Sequence, residues 1–142
     1  MSDDAELRGT APMDEATRQE MVTRVIAVVS QKGGTGKTAS TLNLGAALAM
    51  DWRQSILLID IDPQANLTMG LGVDPYEVNP TIYDVLLHHR EGISPTIRST
   101  EIEGLDLVPS TLDLAGAELE LAGRFGREWL LYCAGPWPMP WT

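Results

Sequence analysis

One stretch narrows the available folds more than any other: Gln31-Lys32-Gly33-Gly34-Thr35-Gly36-Lys37-Thr38. It follows the apolar run Val25-Ile26-Ala27-Val28-Val29 and precedes a helix-favouring run over residues 39–50. The first run is consecutively apolar rather than alternating, which predicts a parallel strand over residues 24–30 buried on both faces. Strand, glycine-rich turn and helix start, in that order, are the context of a phosphate-binding loop. Glycines let the backbone take positive φ and approach an anion closely. The amides of residues 34–38 would then form a nest, to which the helix N-terminus adds partial positive charge. Lys37 would reach the β- and γ-phosphates of a nucleotide, and the Thr38 hydroxyl would ligate Mg²⁺. The general pattern G-x-x-x-x-G-K-S/T is not met, because its first glycine falls on Gln31 and a second lysine stands at 32. A turn kept soluble by flanking lysines is the plainer alternative, but it would not need this order of elements.

Ser55 opens a second apolar run, Ile56-Leu57-Leu58-Ile59-Asp60-Ile61-Asp62, which Pro63 ends. Strand, helix and strand make a βαβ unit, with the right-handed crossover that such units adopt. Ile59 and Ile61 alternate with Asp60 and Asp62, so strand geometry would direct both carboxylates to one face. The alternative is a solvated strand end. The segment Asp62-Pro63-Gln64-Ala65-Asn66-Leu67-Thr68, followed by Gly70-Leu71-Gly72, reads as a loop leaving the carboxyl edge of the sheet, where α/β proteins place ligands.

The remainder alternates short elements. Residues 81–89 read as a helix with Thr81 as N-cap and Ile82, Val85 and Leu86 inward. His88 and His89 are adjacent and face different directions, so they make no metal pair. Residues 97–102 form an edge strand or a loop, and 105–110 a short strand stopped by Pro109. Residues 112–121 read as a helix weakened by Gly116, and 127–132 as a further helical piece. The last ten residues hold Pro136, Pro138 and Pro140 with Trp137 and Trp141, which fits neither helix nor interior strand.

Composition limits the rest. A length of 142 residues suggests one domain. No apolar run approaches the roughly 20 residues of a membrane span, and no basic region followed by an apolar stretch marks a secretory signal. Cys133 is the single cysteine, which excludes an intramolecular disulfide framework and suits a reducing cytoplasm. A formal net charge of -10 gives no broad basic surface for nucleic acid. Residues 1–23 are acid-rich, interrupted by Gly9 and Pro12, and are expected to form a disordered tail.

With these motifs in place, the chain resembles the ParA/MinD ATPases. Lys32-Gly33-Gly34-Thr35-Gly36-Lys37-Thr38 is similar to their deviant Walker A motif, K-G-G-x-G-K-S/T. Ile59-Asp60-Ile61-Asp62-Pro63-Gln64-Ala65-Asn66-Leu67-Thr68 resembles the D-x-D-P-Q-x-N-x-T segment of the ParA (Soj-like) branch. Leu107-Val108-Pro109-Ser110 with Leu114-Ala115-Gly116-Ala117-Glu118 is similar to the segment that follows in that branch. The resemblance implies the N-terminal part of a P-loop α/β fold with a mostly parallel, doubly wound sheet. It also implies ATP and Mg²⁺ as ligands, an ATP-dependent homodimer, a centromere-binding ParB-like partner and nonspecific DNA binding, in the cytoplasm or on the nucleoid. Residue by residue, Lys32 would cross the dimer interface to the partner's phosphates. Lys37 would hold the nucleotide of its own subunit, and Asp62 would orient the attacking water. Asp60 would lie near Mg²⁺, accepting from its water, while Gln64 and Asn66 would be polar groups of the interface or phosphate side.

The resemblance covers roughly residues 24–131 and then ceases. The family continues with an apolar strand ending in the aspartate of a D-x-P-P (Walker B) motif, whereas no aspartate follows Asp113 here. Residues 132–142 therefore read as a divergent Pro/Trp-rich tail, of the kind left by a frameshift, a truncation or a short natural variant. The expected adenine loop and basic DNA surface belong to the unmatched half. Without the central strand, the runs at 25–29 and 56–61 would each carry an unpaired edge and fold marginally. Three readings follow: a partition ATPase represented by its N-terminal half, a non-catalytic fragment with at most weak nucleotide binding, and a MinD-like or other deviant Walker A ATPase. A MinD-type enzyme needs a C-terminal basic amphipathic helix that the tail does not supply, and Asp62-Pro63-Gln64 favours the partition branch.

Overall fold

In the computed structural model, residues 23–88 and 92–135 are described. The chain divides into two units, Met1–Ile26 with Trp137–Thr142, and Ala27–Pro136. Expectations for residues 1–22, His89 and the tail from 136 lie outside the described residues.

A three-stranded mixed sheet organises the second unit. Strand β1 (Ile56–Ile59) pairs in parallel with β3 (Leu105–Val108), setting Ile56 opposite Leu105 and Leu58 opposite Leu107. The short β2 (Arg98–Ser99) pairs antiparallel with the other side of β3, so the order is β1-β3-β2. β3 is central because its sequence permits burial: Leu105, Leu107 and Val108 are fully covered. Parallel neighbours need a long connection. Here it carries helices α2 (Asn66–Gly70) and α3 (Ile82–His88) and a 3-10 turn at Ser94–Thr96.

Helix α1 (Lys37–Met50) lies against β1 and β3. Its inner positions are Leu42, Gly45 and Ala49, and Ala49 joins Leu58, Leu67, Leu105 and Leu107 in the core. Gly45 permits the close approach: a Cβ there would lie 2.9 Å from Leu58 Cδ2. Met50 is exposed, because the inner stripe of α1 ends one residue earlier at Ala49. Helix α4 (Leu114–Ala122) starts later than its sequence pattern suggested, with Gly116 in its first turn. After a 3-10 turn at Arg127–Trp129 comes α5 (Leu130–Ala134), and α3 packs against both α4 and α5.

Two expectations are corrected. Residues 24–30 do not form a buried strand: no regular structure is assigned there, and Val25 and Val29 are 72% and 84% exposed. A strand exists only where another edge accepts its hydrogen bonds, and the sheet of the described residues holds β1, β3 and β2 alone. The second strand also stops at Ile59 rather than Asp62. The Asp60 side chain accepts the Asp62 N–H and turns the chain before Pro63, which is side-chain capture of a backbone donor. At α3, Thr81 stands at the N-cap position directly before Ile82, as expected. Its N–H and its hydroxyl both donate to the Asp84 carboxylate, the acidic half of a capping box.

Candidate functional site

Contacts along α1 fix which end of the sheet meets the glycine-rich loop. Ala49 lies beside Gly104, Gly45 beside Leu58, and Leu42 beside Gly70. The helix therefore runs against the direction of β1, and its N-terminus stands at the carboxyl end of that strand. Residues 32–38 and the loop that follows β1 occupy the same end of the sheet, as the sequence order anticipated.

The glycine-rich loop is open. Lys32, Gly33, Gly34, Thr35 and Gly36 are exposed, and Lys37 and Thr38 are half-buried in the first turn of α1. Gly34 and Gly36 sit at φ +70° and +83°, where a side chain would be strained, yet added Cβ atoms would meet nothing within 4 Å. Backbone conformation, not crowding, selects glycine at both. The Thr35 hydroxyl donates to the Lys32 carbonyl at 3.2 Å, and the first helical bond runs from Ser40 N–H to the Gly36 carbonyl at 2.8 Å. Gly36 is the N-cap and offers no side-chain acceptor. The opening N–H groups of α1 thus have neither an intrahelical partner nor a side-chain cap, the electrostatic setting that anions prefer.

The carboxylates are placed differently from each other. Asp60 is 4% exposed. Its Oδ2 accepts from Thr68 N–H at 2.9 Å and from the Thr68 hydroxyl at 2.7 Å, and its Oδ1 accepts from Asp62 N–H at 3.1 Å. Three donors occupy a group with about four acceptor sites, which leaves room for one further partner. Asp62 is half-buried, and its Oδ1 accepts Gln64 N–H at 2.9 Å in a turn that Ala65 N–H closes onto the Asp62 carbonyl at 2.9 Å. Ala65 takes φ +51°, a left-handed conformation uncommon for a residue with a Cβ. Gln64 and Asn66 are exposed. Because β1 ends at Ile59, strict alternation no longer governs Asp62; its position is set by this turn instead.

Two residues of the site carried no role in the sequence reading. Thr68 and Ser110 are both fully buried. The Thr68 hydroxyl accepts Ser110 N–H at 2.9 Å, and the Ser110 hydroxyl donates to the Asp62 carbonyl at 2.7 Å. The available signal was Ser110 directly after the proline that stops β3, beside a threonine closing the Asp60–Asp62 segment. Among the described residues no three His, Cys, Asp or Glu gather to hold a metal. A Mg²⁺ ion here would depend on phosphate oxygens, water and Thr38. The uncapped helix start, the left-handed glycines and the space around them fit a magnesium nucleotide.

A family model described as an AAA domain matches residues 23–133. The chain belongs to this AAA-domain family. Within it, the resemblance to ParA and Soj holds. The chain is 46% identical over 105 residues to the sporulation initiation inhibitor protein Soj of Bacillus subtilis, covering 74% of this chain and 41% of Soj. It is 43% identical over 108 residues to the chromosome partitioning protein ParA of Caulobacter vibrioides, covering 76% of this chain and 40% of that protein. The chain thus spans about two fifths of the length of these curated relatives. The fold matches a structure of cobyrinic acid a,c-diamide synthase from Mycobacterium smegmatis with bound ATP analog and magnesium, at TM-score 0.74 and 45% identity, over 80% of this chain and 45% of that one. The α/β architecture is therefore that of part of a P-loop ATPase fold.

Proposed function

We propose that this AAA-family chain binds Mg-ATP at residues 32–38 and serves a ParA-like partition ATPase. The observation that carries the reading is the helix start at Lys37. It is uncapped, preceded by two left-handed glycines, and it stands at the carboxyl end of β1, the end from which the Asp60–Asp62 turn leaves. Bound ATP supplies a terminal phosphoryl group whose transfer to water is the reaction. Lys37 neutralises phosphate charge within its own subunit, and the amides of residues 34–38 orient the phosphates. Thr38 would contribute a hydroxyl to a bound Mg²⁺, and Asp60 would offer an acceptor to the water around it. Asp62 orients the attacking water. Lys32, exposed and free to extend, reaches the phosphates of a second copy, so that nucleotide binding and dimerisation are coupled. The similarity to Soj and ParA supports a homodimer, nonspecific DNA and a ParB-like protein as partners, in the cytoplasm or on the nucleoid. Among the described residues, no helix is long and apolar enough to cross a membrane.

The test follows dimerisation and turnover in parallel. Asp62→Ala is expected to keep ATP-dependent dimers and slow hydrolysis, and Lys32→Ala to lose both. Unchanged hydrolysis in either variant would refute the assigned roles. A second reading, an ATP-dependent amide synthase, draws on the fold match at TM-score 0.74. ATP turnover that requires a carboxylic acid and a nitrogen donor, and no second copy of the chain, would select it.

A further inference from the structure

Every main-chain polar group of Asp62 is held from another part of the chain. Its N–H donates to Asp60 Oδ1, and its carbonyl accepts both Ala65 N–H and the Ser110 hydroxyl, a residue 48 positions away. Thr68 joins the two anchors. Its single hydroxyl proton goes to Asp60 Oδ2 at 2.7 Å, and a lone pair of the same oxygen accepts Ser110 N–H at 2.9 Å. The direction of each bond follows from chemistry, because a carboxylate only accepts and a backbone N–H only donates. Asp60, Thr68 and Ser110 are all buried, so water does not compete for these bonds. The loops leaving β1 and β3 are thereby tied together at their carboxyl ends. Proline 109 extends the tie, since its carbonyl accepts Ile82 N–H at the start of α3 at 2.9 Å.

We infer that Ser110 and Thr68 are positioning residues for Asp62, fixing its backbone so that its carboxylate is aimed before any nucleotide arrives. The inference rests on the proposed role of Asp62. Preorganisation of this kind acts on the chemical step rather than on ligand affinity, because the held group meets the reacting water and not the bulk of the nucleotide. Ser110→Ala is an informative variant. The Asp62 carbonyl keeps its bond from Ala65 N–H, and Ser110 N–H keeps its bond to Thr68, so the substitution loosens the loop without leaving an orphaned buried group.

The experiment compares wild type, Ser110→Ala, Thr68→Val and Thr68→Ser by Mg-ATP hydrolysis, thermal unfolding and amide hydrogen exchange. In Ser110→Ala, kcat is expected to fall roughly ten- to hundredfold with KM unchanged. Exchange should accelerate at the Asp62 and Gln64 amides, while β1, β3 and the unfolding midpoint stay as in wild type. Thr68→Val should show the same kinetic pattern, and Thr68→Ser, which keeps the hydroxyl, should restore wild-type kcat. Unchanged exchange at Asp62 and Gln64 in Ser110→Ala overturns the inference, whatever the turnover. Faster exchange with unchanged kcat also overturns it, by leaving Ser110 a purely structural role. Absence of hydrolysis in wild type would instead refute the catalytic reading of Asp62, and the exchange data would then decide the positioning of the loop alone.

Discussion

Two loops at the same end of the sheet are built on opposite terms. The loop after β1 is held by buried side chains. Asp60, Thr68 and Ser110 close a set of hydrogen bonds among residues of low exposure, and no buried side-chain polar atom among the described residues lacks a partner. Among the described residues, little holds the glycine-rich loop and the run before it. Val25, Ile26, Val28 and Val29 are exposed, and the bonds within residues 30–36 are short-range contacts between exposed groups. The difference teaches that the carboxylates after β1 are fixed by packing within the chain, whereas the glycine-rich loop is shaped largely by its own backbone conformation.

The largest expected contrast is in stability. Leu107 is fully buried in the central strand, so Leu107→Ala is expected to cost about 2–5 kcal/mol in denaturant unfolding. Val29→Thr, at an exposed position, should stay within about 0.5 kcal/mol of wild type. Comparable losses at the two sites would break the contrast and show that residues 25–29 are buried in solution.

A smaller effect lies at the margin of the packed region, where Tyr83 is half-buried. Burial pushes the Tyr83 phenol of α3 above its ordinary value. The carboxylates of Glu120, Asp113 and Asp84 add to the shift, and Glu120 also hydrogen-bonds it. The fold therefore favours the neutral phenol. Its contribution to stability is present below the ordinary tyrosine value and declines as pH rises from there toward the raised one, because the unfolded chain ionises first. Glu120→Gln should lower the Tyr83 titration, read by ultraviolet absorbance, toward the ordinary value. No movement would remove Glu120 as a cause.

How much of this was visible beforehand depends on the range of the forces involved. The helix at Lys37–Met50 and the buried strands Ile56–Ile59 and Leu105–Val108 follow from local pattern, and the structure forms them close to where the pattern places them. The run at 25–29 has the same apolar character as β1, yet strand formation needs a partner edge that composition cannot supply. The pattern carries the second strand to Asp62, but the Asp60 carboxylate ends it earlier by taking the Asp62 N–H. Thr68 and Ser110 read as ordinary polar loop residues because their burial arises only when segments 42 positions apart meet. The glycine-rich motif was legible as chemistry, since its residue types and order are themselves the signal; its exposure was not.

The central claim, that residues 32–38 bind a magnesium nucleotide, is tested most directly by calorimetric titration of Mg-ATP into wild type and Lys37→Ala. Removing one charge-assisted contact of about 1.5–3 kcal/mol should weaken binding roughly ten- to hundredfold. Saturable binding by wild type with that loss in the variant is the result the account predicts. Equal affinity in the two proteins, or no binding by wild type, would contradict it.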